Sequence, residues 1–289
     1  VNDVIRATPG VRSAEVFTYL DLVKQTYSWG TREVELLEAE DVTPSRVRLV
    51  PRPVMLQGWN DLASIHWRYE PDVVQALLPE GFRVDTFDGS AWVGVLPFHM
   101  RRVRLPGLPA FGPLSTFPET NVRTYLIDPA GRRAVWFCSL DITRLITALV
   151  ARVSYRLPYC WAKMSIDRSG GADVAPGDTV SYTSRRRWPT GDHATTDVAV
   201  QVGDPIAPAD VTDLEHFLSA RWALGTTFGK RLMWADVDHP PWPLHRAELL
   251  RCDESLVTAA GLPAPTGDPY VLWSPGVDVR IARPRRVLI

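Results

Sequence analysis

Residues 82–100 read FRVDTFDGSAWVGVLPFHM. Phe82 to Thr86 and Ala91 to Met100 have strand character. The Phe87-Asp88-Gly89-Ser90 stretch between them is a tight turn, because Asp-Gly supplies the positive φ that a two-residue hairpin loop requires. Outward from this hairpin the pattern stays one of strand and turn. On the N-terminal side, Asp61 to Trp67 alternates, with Leu62 and Ser64 on one face and Ile65 and Trp67 on the other; Glu70-Pro71 then opens a short helix that Gly81 stops. On the C-terminal side, residues 106–118 hold too many prolines for regular structure and read as a surface loop or lid. Residues 121–127, 135–140, 156–166, 179–188 and 194–202 are strand-like, as are four later segments around Trp222, Leu232, Ala247 and Tyr270. On this C-terminal side, helical spacing appears at 140–155 and in an N-capped segment at 210–221. Many antiparallel strands with two or three helices predict an α+β fold, or a barrel with helices outside.

The first fifty residues differ. Val16 to Tyr27 and Thr31 to Glu40 have helical spacing, and Thr43-Pro44 and Pro51-Arg52-Pro53 break any helix. Residues 1–50 therefore read as an appended N-terminal segment and 51–289 as one domain. Hydrophobic residues make up 45% of the 289-residue chain, enough for a sizeable core. The formal net charge of −1 provides no global field for nucleic acid or an anionic membrane. Scattered arginine clusters, such as Arg185-Arg186-Arg187, read as a solvated rim. Three widely spaced cysteines, Cys138, Cys160 and Cys252, argue against a disulfide framework and fit a reducing cytoplasm. No signal peptide is visible, and the longest apolar run is far short of a membrane span.

Chemistry is expected on two strands. Glu119, Asn121, Arg123 and Tyr125 share one face by period two, an expensive set to bury unless its members pair or bind a polar ligand. One reading has Arg123 orienting an oxyanion while Glu119 or Tyr125 moves a proton; the other has a structural Glu–Arg pair. On the strand at 156–166, Tyr159, Trp161 and Lys163 share a face, so Lys163 either reaches a cavity or stands exposed. Lysine is scarce: Lys24, Lys163 and Lys230 are the only three. The six histidines lack metal-ligand spacing, and neither a metal nor a cofactor is expected. No G-x-S-x-G, G-x-x-x-x-G-K or G-x-G-x-x-G string is present, which removes the commonest hydrolase and nucleotide-binding readings.

Ten short strings occur in a fixed order: His66-Trp67, Leu77-Leu78-Pro79-Glu80-Gly81, Asp85-Thr86-Phe87-Asp88-Gly89, Ala91-Trp92-Val93-Gly94, Pro97-Phe98, Asn121-Val122-Arg123-Thr124-Tyr125, Phe137-Cys138-Ser139-Leu140-Asp141, Leu157-Pro158-Tyr159, Glu215-His216-Phe217-Leu218 and Pro241-Trp242-Pro243-Leu244. From about Trp59 onward the chain resembles the YqjF-like family of uncharacterised bacterial proteins, grouped with the acetoacetate decarboxylase-like superfamily. The resemblance implies a mainly antiparallel, cone-like β-barrel with a few outer helices, enclosing an apolar ligand cavity. It also implies that Glu119 corresponds to an acidic residue lining the decarboxylase pocket. The decarboxylase forms a Schiff base on one of two adjacent lysines that follow a proline, whereas here Pro158 is followed by Tyr159 and Cys160. The expected site set is thus Glu119, Arg123, Tyr125, Tyr159 and Lys163, working without an imine.

The function expected is that of a cofactor-independent enzyme of lyase or isomerase/cyclase type. It would act on a small apolar carbonyl or carboxylic ligand by acid–base chemistry: decarboxylation, dehydration, isomerisation or cyclisation. The alternative is a non-catalytic small-molecule binding protein. Neither nucleic acid nor membrane is an expected partner, and a homo-oligomer is compatible with the chain.

Overall fold

The hairpin at 82–100 forms as its turn residues require. In the computed structural model, which describes residues 37–45, 49–145, 157–171, 173–188 and 193–287, Asp88 and Gly89 take φ values of 50° and 73°. They join β3 (Thr86–Phe87) to β4 (Ser90–Arg104) in antiparallel register. Preceding these are β1 (Met55–Tyr69), helix α1 (Pro71–Gln75) and β2 (Arg83–Val84). Strand β4 runs between β1 and β5 (Phe117–Ile127), antiparallel to both. The β1–β4 register slips between Asn60 and Ile65, where Asp61 adopts a φ of 50°. This bulge bends the long strand.

Strands β6 (Arg133–Ile142), β7 (Tyr159–Arg168), β8 (Thr179–Trp188) and β9 (Thr195–Pro205) follow. Helix α2 (Asp213–Ser219) comes next. It is shorter than the expected 210–221, because Thr212 rather than Asp210 caps it. The Thr212 hydroxyl accepts from Glu215 N, and the Glu215 carboxylate accepts from Thr212 N. The chain ends with β10 (Ala223–Phe228), β11 (Arg231–Asp238), β12 (His245–Glu254), helix α3 (Leu256–Ala259), β13 (Tyr270–Ile281) and β14 (Arg285–Arg286). Of the helix expected at 140–155, residues 140–142 end β6, and 146–155 lie outside the described residues. The helix expected at Val16 to Tyr27 lies outside them as well. So does most of Thr31 to Glu40, whose described part, residues 37–40, has no regular structure. Within 37–50, Glu40 N donates to Gly131 O at 2.8 Å and Trp222 Nε1 to Thr43 O at 3.2 Å.

The pairings close on themselves. Strands β1, β4, β5, β6, β10, β11 and β13 form one circuit, and β6, β7, β8, β9, β12, β13, β11 and β10 form another. Most pairs are antiparallel, but β6 pairs parallel with both β7 and β10. A parallel neighbour requires a crossover, which the chain between Ile142 and Tyr159 is long enough to make. The largest apolar cluster, including Ile65, Val95, Val122, Val198, Trp234 and Trp273, occupies one part of the interior. Smaller clusters around Val237 and Ile281, and around Phe98 and Phe117, line another part, where a cavity remains.

Candidate active site

The cavity has a volume of about 300 Å³, and each strand of the first circuit contributes to its wall. Met55, Met100, Phe117, Phe137, Val237 and Ile281 make it apolar, and Glu119, Arg123 and Arg221 bring charge-bearing groups to it. Glu119 lies opposite Phe98 on β4 and Ile142 on β6, so its carboxyl projects from a strand walled by hydrocarbon on both sides. The residue is 3% exposed, and its Oε2 has no hydrogen-bond partner. Burial, reinforced by the Asp141 carboxylate, pushes its pKa up to about 8. Asp141 itself is held by Arg186, whose Nη2 donates to Oδ1 at 2.8 Å and whose Nε donates at 3.1 Å. Arg186, expected on the rim, is thus a buried counterion.

Two residues beyond Asn121, Arg123 faces the same cavity. Its Nη2 donates to Leu218 O at the end of α2 (2.9 Å), while its Nε is buried without a partner. No ion pair joins Arg123 to Glu119 among the described residues, so the structural Glu–Arg pair is not what the strand builds. Arg221 completes the charged edge. Its Nη1 donates to Asp85 Oδ2 (2.6 Å) and its Nε to Phe217 O (2.7 Å), leaving Nη2 buried and unpartnered. Burial lowers its pKa and Asp85 opposes that shift; a guanidinium stays charged regardless. Arg123 and Arg221 therefore each keep a buried N–H without a partner, on residues that line the same cavity as the Glu119 carboxyl.

Tyr125, expected to move a proton, does not line the cavity. It is fully buried, with its hydroxyl donating to Leu218 O at 2.9 Å and lying 2.7 Å from His66 Nε2. His66 Nδ1 lies 3.1 Å from Ser64 Oγ, and burial, aided by Arg123 and Arg221, lowers the histidine's pKa well below its ordinary value. One direction satisfies the chain: Ser64 donates to His66, His66 to Tyr125 and Tyr125 to Leu218 O. Leu218 O is the acceptor that Tyr125 shares with Arg123, so Tyr125 braces the guanidinium rather than facing the cavity. Gly94 leaves room for this, since a Cβ there would stand 2.3 Å from His66 Nε2.

Tyr159 lines the cavity, whereas Lys163 is exposed. Strand β6 ends at Ile142 opposite Trp161, and Lys163 lies past the end of that wall, paired with Arg185 of β8. Lys230 is exposed as well, so neither described lysine reaches the cavity. Arg221, His239 and Trp242 reach it without having been foreseen. His239 stacks on Trp222 with ring centroids 4.5 Å apart, and burial lowers its pKa below the ordinary value. No local spacing marks these three. Arg221 meets Asp85 across 136 positions of sequence, a contact that only the tertiary fold supplies.

The model of the DUF2071 family, described as an uncharacterized conserved protein, matches residues 56–278. The uncharacterized protein YqjF of Bacillus subtilis (strain 168) is 31% identical over 226 residues, 78% of this chain and 89% of that protein. Among solved structures, an acetoacetate decarboxylase-like enzyme from Sphingomonas wittichii RW1 aligns with a TM-score of 0.56 at 16% identity, covering 84% of this chain and 99% of that one. The enduracididine biosynthesis enzyme MppR complexed with pyruvate aligns with a TM-score of 0.55 at 17% identity, covering 82% and 91%. Identities this low speak for the fold, which these enzymes share with the present chain. With the family match spanning most of the sequence and the ordered motifs falling inside it, the chain belongs to the DUF2071, YqjF-like family.

Proposed function

We propose that this protein is an acid–base enzyme acting on a small apolar carbonyl compound that carries a carboxylate, inside a cone-like barrel. The observation that carries the proposal is Glu119, a fully buried carboxyl with a pKa pushed up to about 8 and an unpartnered oxygen on the cavity wall. A general acid or base works best with a pKa near the working pH, and apolar burial is the ordinary way to bring a glutamic acid there. The spare N–H groups of Arg123 and Arg221 suit an anionic head group and the charge that develops on a carbonyl oxygen. The exposed positions of Lys163 and Lys230 support chemistry without an imine.

The simplest step is exchange of a proton at the carbon next to the carbonyl. The Glu119 carboxylate takes that proton, the C–H electron pair moves into the enolate, and a guanidinium N–H meets the charge on oxygen. The protonated carboxyl then trades its proton with solvent, and return of a solvent-derived proton from Glu119 to the carbon restores the ketone. The class of pyruvate, named for MppR, is a sensible starting point for substrate trials.

The test is deuterium exchange at that carbon, followed by proton NMR in D2O across a panel of straight-chain and aromatic 2-oxo and 3-oxo acids. Wild-type protein should accelerate exchange for at least one member, with a rate that rises with pH up to a limb near 8. Glu119→Gln should lower that rate by about 10²- to 10⁴-fold. Arg123→Met should weaken half-saturation by about 10- to 100-fold, the worth of a charge-assisted hydrogen bond. Saturable binding with no exchange or turnover of any member would instead assign the chain as a binding protein.

A further inference from the structure

The inner cavity adjoins a second space. A groove of about 680 Å³ lies along the segment between β11 and β12, walled by Pro205, Pro208, Pro240, Pro241 and Pro243. A third, much smaller void is lined in part by Arg123. Two residues, Ser219 and Trp242, border all three spaces, so they are the partition between them.

The two halves of the partition are not held alike. Ser219 closes helix α2, and its hydroxyl donates to Glu215 O at 2.6 Å, which fixes it. Trp242 stands in a stretch without regular structure, between Pro241 and Pro243, where no ladder hydrogen bond is available. Its ring stacks on Trp59 with centroids 6.0 Å apart and leans on His239 at 5.6 Å. Unlike Trp59 and Trp222, whose indole N–H groups donate to Gln57 and Thr43, it makes no hydrogen bond among the described residues. The ring is held by stacking and by packing against the apolar clusters around Val237 and Phe98, without the hydrogen bond that fixes its neighbours.

We propose that the Trp242 indole is the door between groove and cavity and sets the length of apolar tail that the site accepts. Like the proposed function on which it rests, this places a carboxylate head at Arg123 and Arg221. The tail runs back toward Trp242 until it meets the ring. A longer tail must displace the ring and continue into the groove, whose proline and aliphatic wall suits hydrocarbon.

The test is calorimetric titration of straight-chain carboxylates of increasing length, and of the matching primary alcohols, into wild-type protein, Trp242→Ala and Trp242→Phe. Each buried methylene should tighten binding by about fourfold, the equivalent of ~0.8 kcal/mol. In wild-type protein that gain should stop at a definite length. Trp242→Ala should carry it through at least two further methylenes, with Trp242→Phe between. If Trp242→Ala does not fold, an extension in Trp242→Phe supports the proposal and an unchanged limit overturns it.

The two series separate the two ideas. Carboxylates that bind with the same length limit in all three proteins overturn the door and leave the proposed function standing. Alcohols that bind with an extended limit while carboxylates do not bind sustain the door and remove the carboxylate site. Failure of both series to bind any of the proteins overturns both.

Discussion

Glu119 carries the consequences at the level of single residues. Its pKa is raised in the folded protein, to about 8 from 4.5, so the native state holds a proton that the unfolded chain releases between those values. Stability from this group is therefore complete below about pH 4.5 and is lost as pH rises toward 8, at ~1.4 kcal/mol per unit. Glu119→Gln should be more stable than wild type at pH 7, by roughly 3 kcal/mol, and lose that advantage near pH 4.5. Denaturant titrations of both proteins at the two pH values check the sign. Tyr125→Phe should behave differently. It leaves His66 and the Leu218 carbonyl each short of one partner, costing about 1–3 kcal/mol of stability, and it slows proton exchange less than Glu119→Gln does. That Glu119 and Arg123 share a face of β5, which the structure turns to the cavity, was legible because strand alternation is a local pattern. That Tyr125, on the same face, braces rather than lines the cavity was not legible, since it depends on His66 arriving from another strand.

At the scale of elements, the sequence was clearest where turn chemistry and alternation agree, as in the β3–β4 hairpin and in β8, which spans Thr179–Trp188 as expected. It was least clear at helix ends, where Thr212 and Glu215 rather than Asp210 set the start of α2. Thr212→Ala should cost about 1 kcal/mol in a denaturation experiment, the usual worth of an N-cap. The junction of β1 and β4 is more demanding. In Gly94→Ala the new methyl would stand 2.3 Å from His66 Nε2 and 2.8 Å from Leu96 Cδ1. Overpacking of that kind costs about 1–3 kcal/mol and should push His66 off Tyr125. Imidazole ¹⁵N shifts of His66 would register the displacement, and unchanged shifts with unchanged stability would contradict the packing described.

For the whole molecule, the closed circuits of strands are what remove Glu119 from water, because its cavity is walled by every strand of one of them. The strand pattern left closure as one of two alternatives, and family resemblance favoured it. Pairings such as β11 with β13, or the parallel β6–β10 contact, join segments too far apart to leave a local pattern in the sequence. The same closure explains why Lys163 lies outside: β7 continues past the end of β6, and with it past the cavity wall. Whether this enclosure keeps a carboxylic acid neutral at physiological pH is read most directly from the Glu119 side chain. Carboxyl ¹³C NMR of protein labelled at glutamate, with Glu119→Gln to assign the resonance, should show one carboxyl titrating near pH 8 and absent from the variant. Titration of that resonance in the ordinary carboxylate range, near 4.5, would contradict both the burial of the carboxyl and the acid–base role assigned to it.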